Sequence, residues 1–149
     1  EALQQQLTTA QHAAIEAYKS ATDDENIAEN KYDTLGLEAA YLAAGQSTRV
    51  TAYQEGIAII EALPTFQFKA CDQIDIGALV SLVDDQGNDL CVYLSPVAGG
   101  LHIKNEGIDI LLVTNQAPLG KALIGQYLDD EVSLTVAGQT KTYEIIELS

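Results

Sequence analysis

The chain has 149 residues, with 22 acidic against 7 basic side chains and a formal net charge of −15. That length suits one ordinary domain or two small modules. The shortage of Lys and Arg argues against autonomous binding of DNA or free RNA, because affinity for a phosphate backbone comes from basic side chains that displace counterions. No run of about 18 apolar residues could cross a membrane, and no basic segment followed by an apolar core marks a signal peptide, so a cytoplasmic protein is expected. The chain opens without Met inside a helical pattern, so residues are expected to be missing at its N-terminus.

From Glu1 to Leu63 there is no proline, and Ala, Gln, Glu and Leu dominate, mostly good helix formers. Leu3, Leu7, Ala10, Ala14, Ala17 and Ala21 recur in alternating steps of four and three residues, the apolar seam of a coiled coil. Leu35, Ala39, Leu42, Gln46, Val50, Tyr53, Ile57 and Ile60 form a second seam, with one four-four step near its middle. Neither stripe can bury itself alone, and folding one onto the other as an antiparallel α-helical hairpin buries both. The bend is expected between Ala21 and Ala28, within Ser20-Ala21-Thr22-Asp23-Asp24-Glu25-Asn26, the densest acidic cluster of this half. Thr22-x-x-Glu25 has the form of a capping box, and Asp23 and Asp24 suit the positive end of a helix, so every acid there has a structural role open to it.

At Pro64 the period changes. Leu79, Leu82 and Val83, then Leu90, Val92 and Leu94, then Ile108, Ile110 and Leu112 make short apolar runs, separated by Asp84-Asp85-Gln86-Gly87-Asn88, Ala98-Gly99-Gly100 and Asn105-Glu106-Gly107. These read as strands and turns. Cys71 and Cys91 have neither Cys-x-x-Cys spacing nor a Cys/His cluster, so the residues point to small core hydrophobes or a bridge between neighbouring strands rather than to metal. His12 and His102 lack an acidic or nucleophilic neighbour at motif spacing and are expected at the surface or satisfied in the core.

In Ala117-Pro118-Leu119-Gly120-Lys121-Ala122-Leu123-Ile124-Gly125, Pro118 suits a turn or a first helical residue. Leu119, Ala122 and Leu123 share one helical face, and Gly125 can end the helix in the left-handed region. Val132, Leu134 and Val136 then alternate up to Gly138-Gln139, and Tyr143 and Ile145 alternate beyond it, which predicts a β-hairpin. The whole is an α+β chain of two parts: residues 1–63, a coiled-coil hairpin with an acidic tip, and residues 64–149, a small α+β domain.

The segments Ala117 to Gly125, Asp129-Asp130-Glu131-Val132 and Tyr143-Glu144-Ile145-Ile146-Glu147-Leu148 resemble the C-terminal domain of the bacterial Gre transcript cleavage factors. In that family a Ser-Pro-Leu/Ile segment leads into a short helix ending in Leu-Leu/Ile-Gly-Lys, and a terminal strand reads Tyr/Phe-Glu-Ile/Val. Here Ala117 stands where the family has Ser, and Gln126 where it has Lys. The likeness implies an FKBP-like fold for residues 64–149 and a polymerase contact at Ala117, Pro118, Leu119 and Gly120. At the tip the family carries Asp-x-x-Glu-Asn. Glu25-Asn26 fits the Glu-Asn pair with Thr22 in the Asp position, while Glu29-Asn30 fits it with Asn26 there.

The function implied by the resemblance is that of a factor entering the secondary channel of bacterial RNA polymerase, where its tip acids, among Asp23, Asp24, Glu25 and Glu29, support cleavage of a backtracked transcript. Mg2+ shared with the polymerase active site would be held in part by Asp24 and Glu25, since this hard cation prefers oxygen ligands. Two carboxylates make no full site, so none is expected to bind tightly in isolation. The nascent RNA 3′ end would be met only inside the polymerase complex. On this reading the chain is at most a cofactor for the polymerase's own RNA cleavage. Two alternatives stay open: a non-cleaving secondary-channel regulator, and a peptidyl-prolyl isomerase or chaperone-like module, for whose pocket Phe66, Phe68, Tyr93, Tyr127 and Tyr143 are the aromatics on offer.

Overall fold

A computed structural model describes residues 1–22, 35–136 and 138–149. They form two compact units, Glu1–Ala58 and Ile59–Ser149. The first holds α1 (Ala2–Thr22) and most of α2 (Leu35–Glu61). In α1, Leu3, Leu7, Ala10 and Ala17 are buried, with Ala14 half-buried among them and Ala21 half-buried beyond, the stripe predicted from the spacing. In α2 the half-buried positions Ala39, Ala43, Gln46, Val50, Tyr53, Ile57 and Ile60 step by four and three throughout.

Leu42, expected in the second seam, is instead 57% exposed. A regular heptad walk from Ala39 arrives at Ala43, so the larger hydrophobe falls outside the stripe and the four-four step disappears. The hydroxyl groups of Thr8, Thr9, Thr22, Ser47, Thr48 and Thr51 each donate to the carbonyl four residues back, which satisfies them within their own helices. Among the described residues no helix is long and apolar enough to cross a membrane.

The second unit is built on a six-stranded sheet: β1 (Leu79–Asp84), β2 (Asp89–Ser95), β3 (His102–Asn105), β4 (Ile108–Thr114), β5 (Glu131–Val136) and β6 (Gln139–Leu148), with α3 (Pro118–Leu123) between β4 and β5. The strand order is β3-β4-β2-β1-β6-β5. All neighbours are antiparallel except β2 and β4. After β2 the chain turns at Ala98 (φ 60) and Gly100 (φ 85), runs out to the sheet edge as β3, and returns as β4 into the space between. The turn residues are legible in sequence; the insertion of β4 between two earlier strands is not.

One sheet face carries the core. Val80, Leu82, Val92, Leu94, Val113, Val132, Ile145 and Leu148 pack with Leu123 of α3 and with Ile74 and Ala78, which precede β1. Each fully buried Val, Leu or Ile among them contributes about 1.5–3 kcal/mol. Ile145 and Leu148 both face inward although they lie three apart, which strict alternation forbids. The register of β6 against β1 shifts between Ser81 and Leu82, and this bulge accommodates the extra residue, leaving Ile146 47% exposed.

The turn from β1 to β2 is organised by Asp84. Its Oδ1 accepts the N–H groups of Gln86 at 2.9 Å and Asn88 at 2.8 Å, and Asn88 Nδ2 donates to both carboxylate oxygens. These bonds, those from Asn88 foremost, favour the ionised form and hold the Asp84 carboxyl below its ordinary value. The cysteines depart from expectation. Cys71 is exposed and Cys91 half-buried on the sheet face away from the core, and both are free thiols. Burial pushes the Cys91 thiol up.

Candidate functional site

The C-terminal end of β4 and the start of α3 form a tight corner. The Thr114 carbonyl accepts the Ala117 N–H at 3.0 Å, closing the turn. Ala117 has the extended backbone of an N-cap (φ −68°, ψ 148°), yet its methyl group makes no side-chain capping bond. Pro118 follows as the first helical residue, where its missing N–H costs nothing. The Ala117 and Gly120 carbonyls then accept from Lys121 at 2.9 Å and Ile124 at 3.0 Å.

Gly120 is buried where α3 comes down onto β4. A Cβ there would overlap the Thr114 carbonyl oxygen and lie 2.9 Å from its carbonyl carbon and 3.2 Å from Val113 Cγ1. The glycine is therefore what lets α3 approach the strand. At the other end Gly125 adopts φ 83°, as predicted, and its N–H reaches Ile74 O at 2.9 Å, while Ile74 N–H donates to Gln126 O at 2.8 Å. The position of Gln126 is thus set through its backbone. Tyr127 N–H donates to Asp130 Oδ2 at 2.8 Å and leads the chain into β5.

Beside this corner lies an apolar groove of about 530 Å3, lined by Gly99, Gly100, the 111–114 stretch of β4, Ala117, Pro118, Leu119 and Leu134. Of the four residues singled out in the sequence, Pro118 is exposed, Ala117 and Leu119 are half-buried, and Gly120 is buried. Three can present atoms to a partner, and the fourth shapes the backbone that carries them. Leu134, Gly99 and Gly100 join the site only through tertiary structure, since α3 packs against both β4 and β5.

Asp23, Asp24, Glu25 and Glu29 lie outside the described residues. Thr22 is within them: its Oγ1 lies 2.9 Å from Tyr18 O and 3.3 Å from Lys19 O, so the hydroxyl donates into α1, and the capping box read from Thr22 to Glu25 lies in part outside the described residues. Among the described residues no group of three or more His, Cys, Asp or Glu side chains could hold a metal ion. His12 is exposed, and His102 is an exposed partner of Asp109 at 3.0 Å across β3 and β4.

The family model for the C-terminal domain of transcription elongation factors GreA and GreB matches residues 69–149, which include the whole sheet, α3 and the groove. The chain belongs to the GreA/GreB family. Among its relatives, transcription elongation factor GreA of Trichlorobacter lovleyi is 38% identical over 79 residues, covering 52% of this chain and 46% of that protein. The chain thus spans about half the length of this relative. GreA of Mesorhizobium japonicum is 27% identical over 134 residues, covering 90% of this chain and 80% of the relative. The crystal structure of GreA factor homolog 1 (Gfh1) of Thermus thermophilus aligns over 99% of this chain and 92% of its own, at 21% identity and a TM-score of 0.42. The matched range contains the Pro118-Leu119-Gly120 corner and the terminal Tyr143-Glu144-Ile145 strand, the segments that carried the resemblance in sequence.

Proposed function

We propose that this chain acts on bacterial RNA polymerase as a cytoplasmic secondary-channel factor that rescues backtracked elongation complexes by supporting Mg2+-dependent cleavage of the transcript by the polymerase. The observation that carries the reading is the family match over residues 69–149, a range that includes the apolar groove beside Ala117, Pro118 and Leu119. In this reading the sheet unit is FKBP-like and docks on the polymerase through Ala117, Pro118 and Leu119, with Gly120 setting their backbone. α1 and α2 form the antiparallel coiled-coil hairpin that enters the channel, since each carries a heptad stripe of buried or half-buried residues.

Asp23, Asp24, Glu25 and Glu29 lie between those helices in sequence. Carboxylates are the hard oxygen donors that Mg2+ prefers, and Asp24 and Glu25 are the pair assigned to it, in company with polymerase ligands. When bound, such an ion activates water and stabilises the leaving oxygen of a phosphodiester. The role of this chain is to deliver the carboxylates to the nascent RNA 3′ end. With a net charge of −15 it meets nucleic acid only inside the polymerase complex.

A specific observation favours a second reading, a non-cleaving occupant of the same channel. In one alignment of the tip Thr22 takes the place of the family's first Asp, and its hydroxyl is engaged on α1. One experiment separates the two: stalled, backtracked complexes are incubated with wild-type protein and with the double variant Asp24→Asn, Glu25→Gln. The cleavage reading expects shortened transcripts with wild type and none with the variant, at unchanged polymerase binding. Wild type that binds without cleaving establishes the regulator, and cleavage undiminished in the variant removes Asp24 and Glu25 from the site.

A further inference from the structure

The two edges of the sheet are built differently. The β3 edge is four residues long and carries Lys104 and the His102–Asp109 pair, short and charged as exposed edges usually are. The β5 edge is six residues long, and its segment Val132-Ser133-Leu134-Thr135-Val136 has neither charge nor proline. Among the described residues its one neighbour in the sheet is β6. Ile145 N–H donates to Asp130 O at 3.0 Å. The two-residue alternation of an antiparallel ladder then turns the N–H and C=O of Val132 and Leu134 toward β6 and those of Ser133 and Thr135 toward the open edge.

That open edge is self-complementary. Val-Ser-Leu-Thr-Val reads almost identically in both directions about Leu134, so an antiparallel strand of the same sequence, centred there, sets Ser133 opposite Thr135 as a pair that exchanges both backbone hydrogen bonds. We propose that β5 is a homodimerisation surface, two copies pairing antiparallel about a two-fold axis at Leu134 and joining their sheets into one. The side-chain hydroxyls do not compete for these groups, because Ser133 already pairs with Thr142 and Thr135 with Thr140, each at 3.0 Å. Leu134, half-buried in one copy, meets its counterpart in the close, non-hydrogen-bonded position. Each copy carries a net charge of −15, so repulsion opposes the pair and salt screens it over about 8 Å at physiological strength. Association therefore tightens as salt rises, the opposite of an interface held by ion pairs.

Sedimentation equilibrium of the full chain between about 1 μM and about 1 mM, at low and high salt, tests this. The expected result is a monomer–dimer equilibrium that strengthens with salt and is weakened at least about tenfold by Ser133→Lys or Thr135→Pro; the latter removes a donor that faces outward and leaves the β5–β6 ladder intact. If the proline variant fails to fold, judged by circular dichroism, the lysine variant and a cross-link decide. With Cys71→Ser and Cys91→Ala in place, Leu134→Cys should yield a disulfide-linked dimer under oxidised glutathione, two thiols forming one disulfide as the glutathione disulfide is reduced to two thiols, since facing residues there stand about 4.5 Å apart between Cα atoms. A monomer at every concentration, a dimer that neither edge variant weakens, or a dimer that Leu134→Cys leaves uncross-linked would overturn the proposal.

Discussion

Replacing Gly120 by Ala adds one methyl group at the point where α3 touches β4. Besides overlapping the Thr114 carbonyl oxygen, the new carbon would lie 2.9 Å from the carbonyl carbon and 3.2 Å from Val113 Cγ1. Two of these neighbours are backbone atoms of a paired strand and cannot rotate away, so the first turn of α3 must move outward. Overpacking of this kind costs about 3 kcal/mol, and the better helix propensity of Ala returns about 1 kcal/mol, which leaves a net loss of about 2 kcal/mol. For a unit of this size that corresponds to a fall in Tm of about 8–16 °C. The assay is thermal unfolding of the full chain, followed by near-ultraviolet circular dichroism of the sheet unit's tyrosines. Unchanged Tm in Gly120→Ala would refute the close approach of α3 to β4 and reopen Gly120 as a residue needed only by a partner.

Ala117→Ser restores a capping hydroxyl at an N-cap whose backbone is already extended, and should raise stability by about 0.5–1 kcal/mol, read as a higher urea midpoint. On α2, Ala43→Glu should lower the melting temperature of the helical unit while Leu42→Glu leaves it nearly unchanged, since Ala43 lies in the half-buried stripe and Leu42 is exposed. The Asp84 carboxyl titrates below its ordinary value, so its contribution is present above the unfolded pKa and fades as pH falls through the folded one. Carbon-detected NMR titration should show that low midpoint, and Asp84→Ala should flatten this part of the acid-stability profile; a midpoint at the ordinary aspartate value would contradict the hydrogen bonding of the turn.

Local rules alone determined a good deal of this protein. The heptad spacing of Leu3, Leu7, Ala10 and Ala17 marked the face that α1 buries, and Pro118 and Gly125 marked both ends of α3, because proline and glycine restrict or free the backbone regardless of surroundings. The corner at Ala117 to Gly120 was legible as a motif for the same reason. What adjacent residues cannot encode came from pairing at a distance. Leu42 reads as a better seam residue than Ala43, but phase along a helix, set by the whole stripe, decides which faces inward. Ile145 and Leu148 share a core face only because β6 bulges against β1. The insertion of β4 between β2 and β3 likewise depends on which strand completes the ladder of another, and it is this order, with α3 crossing from β4 to β5, that brings Leu134 and the Gly99-Gly100 turn to one groove.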